Sequence, residues 1–367
     1  MELAKRVFEI KESGIRKMFA IASQIKNPID LSIGQTHFQT PKKLQNALSK
    51  ATKQGFNRYT HTMGIPSLIE KIKNHYLKKY KKSPEGLIIT SGASGGIVLS
   101  LLAIIDPGDD VIIFDPYFVL YFNLIKLLGG NPIPVSTYPD FTIKKELLEK
   151  AVTPKTKLII VNSPNNPTGK IISPAEMQII IEVAKKCNLW ILSDEVYSLF
   201  DYDNTFTSFY DKYEKLLIVN AFSKTYAIAG WRLGYLIGPK EVIDKISIIQ
   251  QFSFVCAPSI AQKAVELVYP LSTKNFVRIY KKNRDIVYSV LSKFLEVQKP
   301  EGSFYIFPKL PDNITGTDFA HQLLKEKVVV VPGHAFSQQD THIRISFATD
   351  TKILKKGLEI IARLLQR

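Results

Sequence analysis

The sequence predicts an α/β protein: a large domain with a mainly parallel sheet flanked by helices, joined to a smaller α+β domain. Three observations carry that expectation. Short apolar runs alternate with longer amphipathic stretches through the middle of the chain, the pattern of strand–helix–strand units and so of a parallel sheet. The chain has 367 residues, long for one hydrophobic core. Around Tyr269-Pro270 the alternation gives way to a different pattern without a flexible linker. The expected division is an N-terminal segment, 1–42, joining the small domain, a large domain over 43–270, and a small C-terminal domain over 271–367.

In chain order, residues 1–10 mix charges with apolar residues at helical spacing and contain no signal-peptide core. The cluster Lys78-Lys79-Tyr80-Lys81-Lys82 ends a helix just before Ser83-Pro84, where cations suit the helix dipole. Residues 87–90, 110–114, 157–162, 189–193 and 215–220 are wholly or nearly apolar runs and read as buried strands. Ser173 opens a helix to Lys186, with Glu176 placed to complete a capping box. Beyond Pro270 come a lysine-rich helix from Thr273 to about Leu295, strands at 302–307, 328–331 and 343–347, and a final helix.

Composition excludes several classes. Apolar residues make up 45% and charged residues 22%, ordinary values for a folded globular chain. Two cysteines, Cys187 and Cys256, build neither a disulfide framework nor a zinc site, and six scattered histidines show no metal-binding spacing. No metal is expected, and the compartment expected is the reducing cytoplasm. Ile97–Ile105, the most apolar helical stretch, is too short to span a bilayer, and lipidation signals are absent. The net charge is +16, yet only nine of the 49 basic residues are arginine and the lysines are spread along helices. That pattern is a solvated surface rather than a nucleic-acid face.

Parallel sheets place ligands beyond the C-terminal ends of their strands, so the polar residues just after each apolar run are the candidates. After Thr90 comes Ser91-Gly-Ala-Ser-Gly-Gly96 leading into a helix; small residues and a helix N-terminus suit a phosphate, although a plain tight turn reads the same way. After Val161, the prolines of Asn162-Ser-Pro-Asn-Asn-Pro-Thr-Gly169 fix a turn that displays Asn166, or simply reverse the chain. Asp194 ends the apolar run before Glu195-Val-Tyr197, a costly place for a carboxylate without a cationic partner. Lys224 follows Val219 among small and apolar residues, where desolvation makes an amine nucleophilic, and Arg232 follows eight residues later. A lone lysine is more often a surface residue. Together, however, a phosphate cradle, a carboxylate, an amide, a phenol and a lysine at successive strand ends match the needs of pyridoxal phosphate.

Over nearly its whole length the chain resembles the class I/II aminotransferases of the fold-type-I pyridoxal-phosphate enzymes. The matching segments are Asn165-Asn-Pro-Thr-Gly169, Ser193-Asp-Glu-Val-Tyr197, Ser223-Lys-Thr-Tyr-Ala-Ile-Ala-Gly-Trp-Arg-Leu-Gly234 and Arg344-Ile-Ser-Phe-Ala348, in the family's order and at about its spacing. The resemblance implies Lys224 as the lysine that links covalently to pyridoxal 5'-phosphate and then works as general acid and base. It implies Asp194 on the pyridine nitrogen, Asn166 and Tyr197 on the ring's phenolic oxygen, and Phe118 stacked on the ring. Ala93, Ser94 and Arg232 would hold the phosphate, Ser223 would also contact the cofactor, and Tyr59 would reach the phosphate from the second subunit of a homodimer. Arg344 would take the substrate α-carboxylate, with Gly34 and Asn166 completing the substrate site. An arginine in a C-terminal strand is commonly an ion-pair partner, but one arginine among so many lysines favours the planar two-bond grip that lysine lacks.

Two departures stand out. Ala221 occupies a position where the family usually has Ser or Gly, and Phe118 one where many members have Trp or Tyr. The activity implied moves an amino group from an L-amino acid to a 2-oxo acid. Several aspartate-using members carry lysine at the position of Ser94; its absence, beside Phe38, Tyr59 and His61, favours neutral or aromatic substrates, with aspartate as a further candidate. A β- or γ-lyase of the same fold would use the same residues. A pyridoxal-phosphate-sensing transcription regulator would need a DNA-binding domain, and only about 30 residues precede the match at Leu31-Ser-Ile-Gly34.

Overall fold

The computed structural model describes residues 3–10 and 12–366; the first two positions of the amphipathic stretch expected at 1–10, residue 11 and the last position of the C-terminal domain lie outside them. In chain order the strands are β1 (Ile29–Asp30), β2 (Gly86–Ser91), β3 (Asp110–Asp115), β4 (Asn131–Ser136), β5 (Thr156–Asn162), β6 (Trp190–Asp194), β7 (Leu216–Ala221), β8 (Leu233–Gly238), β9 (Tyr305–Ile306), β10 (Val328–Val329), β11 (Val331–Pro332) and β12 (Ile343–Ser346). Seven of them form one sheet in the order β2-β8-β7-β6-β5-β3-β4. Pairs from β4 to β7 are parallel, whereas β8 is antiparallel to both β2 and β7.

Each run of β-branched and leucine residues buries both faces of its strand, as a sheet covered on both sides requires. Ile88, Val111, Leu158 and Leu192 point into one apolar layer with Ile97, Leu101, Ile243 and Ile246 of the helices Gly92–Ile104 and Lys240–Ser253. Their neighbours Ile89, Ile112, Ile159 and Ile191 point into the other, against Leu148, Met177, Ile180 and Ile181. The Pro174–Lys186 helix begins as its sequence requires: Ser173 accepts from the Glu176 amide, and Glu176 accepts from the Ser173 amide.

Beyond this sheet, β11, β12 and β9 form an antiparallel three-stranded sheet, and β1 pairs with β10 in parallel. The helices Lys274–Leu291 and Thr351–Leu365 pack on each other. A third apolar cluster joins Leu31, Tyr280, Phe304, Ile345 and Leu358 to Val196 and Tyr197 from the edge of the large sheet.

Some elements differ from the sequence expectation. β4 and β8 carry no clear apolar run: Pro132 and Pro134 interrupt β4, which survives as an edge strand, and β8 lies inside a glycine-flanked motif. The run at 302–307 keeps only Tyr305–Ile306 as strand, because Gly302 bridges to Asp201 and Ser303 takes a positive φ of 55°. The run at 328–331 splits in two, since β10 pairs with β1 and β11 with β12. The lysine-rich helix stops at Leu291 rather than near Leu295.

Candidate active site

The parallel strands end at a common edge, and the residues that follow them line a cavity of about 670 Å³. Asp194, the last residue of β6, lies beside Asn162, the last of β5, and Asn162 donates to the Asp194 carbonyl at 3.1 Å. The Asp194 side chain is 3% exposed. Its Oδ2 accepts from the Tyr121 hydroxyl at 2.7 Å and its Oδ1 from the Val196 amide at 3.1 Å. Burial still outweighs these bonds and pushes the carboxyl up to about 6.

β7 leads into the short helix Phe222–Thr225, which carries buried Ser223 and then Lys224. The Lys224 ammonium donates to the Gly34 carbonyl. Burial lowers its pKa to about 8, helped by the positive charges of Arg344 and Arg232 and opposed by Asp194. At neutral pH a useful fraction of this amine is therefore unprotonated.

Ala93 and Ser94 stand in the first turn of the Gly92–Ile104 helix, whose N-cap Ser91 makes no side-chain capping bond. The amide groups of that turn are thus free of a side-chain cap. Gly92 has a φ of 69°, and a Cβ there would come within 2.8 Å of Arg232 Nη2. A Cβ on Gly234 would meet the Gly92 carbonyl carbon at 2.7 Å and the Ala93 nitrogen at 2.9 Å. Gly234 leaves room only for hydrogen against this backbone, while the left-handed φ of Gly92 suits glycine beside the guanidinium. Arg232 itself is exposed and donates to the Ala229 carbonyl at 3.0 Å. Because β8 runs antiparallel, its beginning rather than its end reaches this edge, and Arg232 arrives with it.

Asn166 and Arg344 meet although far apart in sequence. The Asn166 amide N–H donates to Asn162 Oδ1 at 2.8 Å, and Asn166 Oδ1 accepts from Arg344 Nη1 at 2.9 Å. Arg344, on β12, is 1% exposed, with the Tyr305 and Phe336 rings 4.4 and 4.6 Å from its guanidinium carbon. Nη2 donates to the Ser32 carbonyl, while Nε has no hydrogen-bond partner among the described residues. Tyr197 is buried, with its hydroxyl 2.8 Å from that of Tyr305. Gly34 lies so close to this pair that a Cβ would fall 2.2 Å from the Tyr305 hydroxyl.

Phe118 also lines the cavity. Of the sequence candidates, Gly34, Ala93, Ser94, Phe118, Asn166, Asp194, Tyr197, Ser223, Lys224, Arg232 and Arg344 all border it. Tyr59 does not: it is 84% exposed and stands outside the cavity of its own chain. Tyr121 and Tyr305 were missed by sequence reasoning. Tyr121 looks like one more apolar residue after Phe118, and Tyr305 is hidden in an aromatic strand; neither position signals a polar role.

Comparison with known proteins agrees with this geometry. Residues 26–361 match the family described as aminotransferase class I and II. The chain is 37% identical to a probable aspartate aminotransferase of Methanocaldococcus jannaschii, covering 99% of this chain and 100% of that one. It is 34% identical to the aromatic-amino-acid aminotransferase 2 of Thermococcus litoralis, covering 100% and 99%. The solved aspartate aminotransferase of Thermotoga maritima superposes with a TM-score of 0.95 at 33% identity, covering 100% of both chains. The chain belongs to the class I and II aminotransferases and is a transaminase; the family is pyridoxal-phosphate-dependent in general.

Proposed function

We propose that this aminotransferase carries pyridoxal 5'-phosphate on Lys224 and uses the cavity to exchange an amino group between an L-amino acid and a 2-oxo acid. The observation that carries the reading is the convergence of a buried carboxylate, a desolvated lysine and an arginine-flanked helix start at one sheet edge. The residues fit the cofactor. A phosphate suits the uncapped helix start beside Arg232, and a cationic ring nitrogen suits Asp194, whose buried charge has no adjacent cation bonded to it. The orphan Nε of Arg344 leaves a donor for a carboxylate.

Pyridoxal phosphate, when bound, supplies a conjugated ring that takes up the electrons left when the substrate Cα–H bond breaks. The chain's residues do the rest. Lys224 would hold the cofactor covalently and, once free, would move the proton at the substrate Cα as general base and acid; burial lowers its pKa to about 8 in the cofactor-free protein. Asp194 holds the proton on the ring nitrogen, and Tyr121 and the Val196 amide keep its carboxylate oriented. The Oδ1 of Asn166 is committed to Arg344, so its NH₂ is the group left to donate to the ring oxygen together with Tyr197. Ala93, Ser94, Ser223 and Arg232 hold the phosphate, and Phe118 covers the ring. Arg344 grips the α-carboxylate against the Gly34 side of the cavity. The apolar lining, including Ile15, Ile33 and Phe118, supports neutral or aromatic side chains.

Tyr59 is 84% exposed; an isologous homodimer in which it serves the neighbour's phosphate would account for that exposure. The parallel pairing of β1 with β10 supports the division into 1–42 with 271–367 and 43–270. Among the described residues no helix is long and apolar enough to cross a membrane, and a cytoplasmic location remains part of this reading.

Borohydride reduction followed by peptide mapping tests the attachment. An adduct on Lys224 is expected, and one on any other lysine refutes the site. Adding single amino acids and following the absorbance change of the bound cofactor identifies substrates. Release of ammonia without an oxo-acid acceptor would instead indicate a lyase.

A further inference from the structure

Tyr305 lines the cavity, and the chemistry above gives it no task. It stands on β9 opposite Ser346 of β12 and is 1% exposed. The guanidinium carbon of Arg344 lies 4.4 Å from the centre of its ring. Its hydroxyl meets that of Tyr197 at 2.8 Å, and among the described residues neither hydroxyl has another hydrogen-bond partner. The Tyr197 ring is held edge-on by Phe304 and Tyr305, with centroids 5.3 and 5.6 Å away. Gly34 makes the contact possible, because a Cβ there would collide with the Tyr305 hydroxyl.

Two hydroxyls that share one hydrogen bond carry two protons and use one between them, so the other remains to be offered elsewhere. The surroundings decide which one. Burial raises the pKa of both phenols, and that of Tyr197 is raised well above its ordinary value. In Tyr305 the positive charge of Arg344 works against burial, whereas in Tyr197 the charge of Asp194 adds to it. The more acidic phenol is the better donor and the less acidic one the better acceptor. Tyr305 therefore donates to Tyr197, and the Tyr197 proton is left for the cavity.

We infer that Tyr305 is a positioning residue for the reaction: its hydroxyl donates to Tyr197 and so fixes Tyr197 as the donor to the cofactor's ring oxygen. Hydroxyls bonded in a chain polarise one another, so the first donation strengthens the second. Because the same ring supports Arg344, one side chain ties the phenolic side of the cofactor pocket to the receptor for the α-carboxylate. The inference rests on the proposed cofactor reading of this cavity.

The test follows the absorbance of the bound cofactor against pH in the holoenzyme, in Tyr305→Phe, in Tyr197→Phe and in the double variant. Tyr305→Phe removes one oxygen and no packing. A hydroxyl that donates to the ring oxygen favours its anionic form, so a weaker donor raises the pH at which the absorbance changes. Tyr305→Phe should raise that midpoint by about 0.5 or more, and Tyr197→Phe should raise it further. The double variant should match Tyr197→Phe, because Tyr305 acts through the hydroxyl already removed. The phenylalanine ring still supports Arg344, so KM for amino acids should change less than about twofold. A Tyr305→Phe midpoint that stays in place or falls, or shifts that add in the double variant, overturns the inference while Tyr197 keeps its place on the ring oxygen. A rise in KM without a change of midpoint assigns Tyr305 to Arg344 alone and overturns it too. If Tyr197→Phe itself left the midpoint unmoved, the role given to Tyr197 in the proposed function would fail, and this inference with it.

Discussion

The two halves of the cavity are built in different ways. The cofactor half comes from strand ends of one sheet: Ser91 leading to Ser94, Asn162, Asp194, and Ala221 leading to Lys224. Its groups are held by register, since a strand that pairs correctly delivers its last residue to the edge. The substrate half is assembled from both ends of the chain. Ser32 and Gly34 come from the N-terminal segment, and Arg344 and Tyr305 from strands of the small antiparallel sheet. Asn166 joins the two through Asn162 on one side and Arg344 on the other, and Lys224 and Tyr197 reach across to the Gly34 carbonyl and the Tyr305 hydroxyl. A lesion in the first half should thus strike chemistry or cofactor retention, and one in the second should strike substrate binding.

The largest effect is expected at Lys224. Among the described residues Lys224 is the only amine lining the cavity, so with Lys224→Ala turnover should fall by orders of magnitude while cofactor still binds through phosphate and ring contacts. Retention of turnover would break the assignment of this half to chemistry. Asp194→Asn comes next: without the negative charge the ring nitrogen loses its proton, and turnover should drop at least about 100-fold, roughly 2.7 kcal/mol of barrier. Near-normal turnover with bound cofactor would remove Asp194 from that role.

Arg344→Lys sharpens the contrast. The charge stays but the bidentate grip goes, so KM should rise about tenfold for amino and oxo acids alike, about 1.4 kcal/mol of binding. The absorbance of the bound cofactor should not change, and a spectral shift would mean that the two halves are not separable. The smallest effect concerns pH. Burial holds Asp194 near 6 before cofactor binds, above the ordinary carboxylate value, so between about pH 4 and 6 the folded protein keeps a proton that the unfolded chain has lost. Stability of the cofactor-free protein should fall as pH rises through that window. Cofactor affinity should rise over the same window, because the ionised carboxylate is the form that meets a cationic ring. Tyr121→Phe deletes a bond that stabilises the ionised form, so the midpoint of cofactor binding should move to higher pH. A midpoint that stayed in place or moved down would show that Tyr121 does not tune Asp194.

Much of this was legible from local sequence. Apolar runs of β-branched residues specify buried strands, and the polar residue that ends each run is delivered to the ligand edge by sheet geometry alone. For that reason Asn166, Asp194 and Lys224 could be named as candidates before any contact was known. The capping box at Ser173 and Glu176 is equally local, because its bonds span one helical turn. What the tertiary structure decided is everything that joins distant segments. The reversal of β8 brings Arg232 to the cradle by its beginning rather than its end. The hydroxyl of Tyr121 on Asp194 and that of Tyr305 on Tyr197 span 73 and 108 residues, and no local pattern marks either tyrosine as polar. The guanidinium of Arg344 meets a carbonyl 312 residues away. Secondary structure follows from side-chain periodicity over a few residues, whereas such pairings exist only after packing has chosen which strands and helices become neighbours.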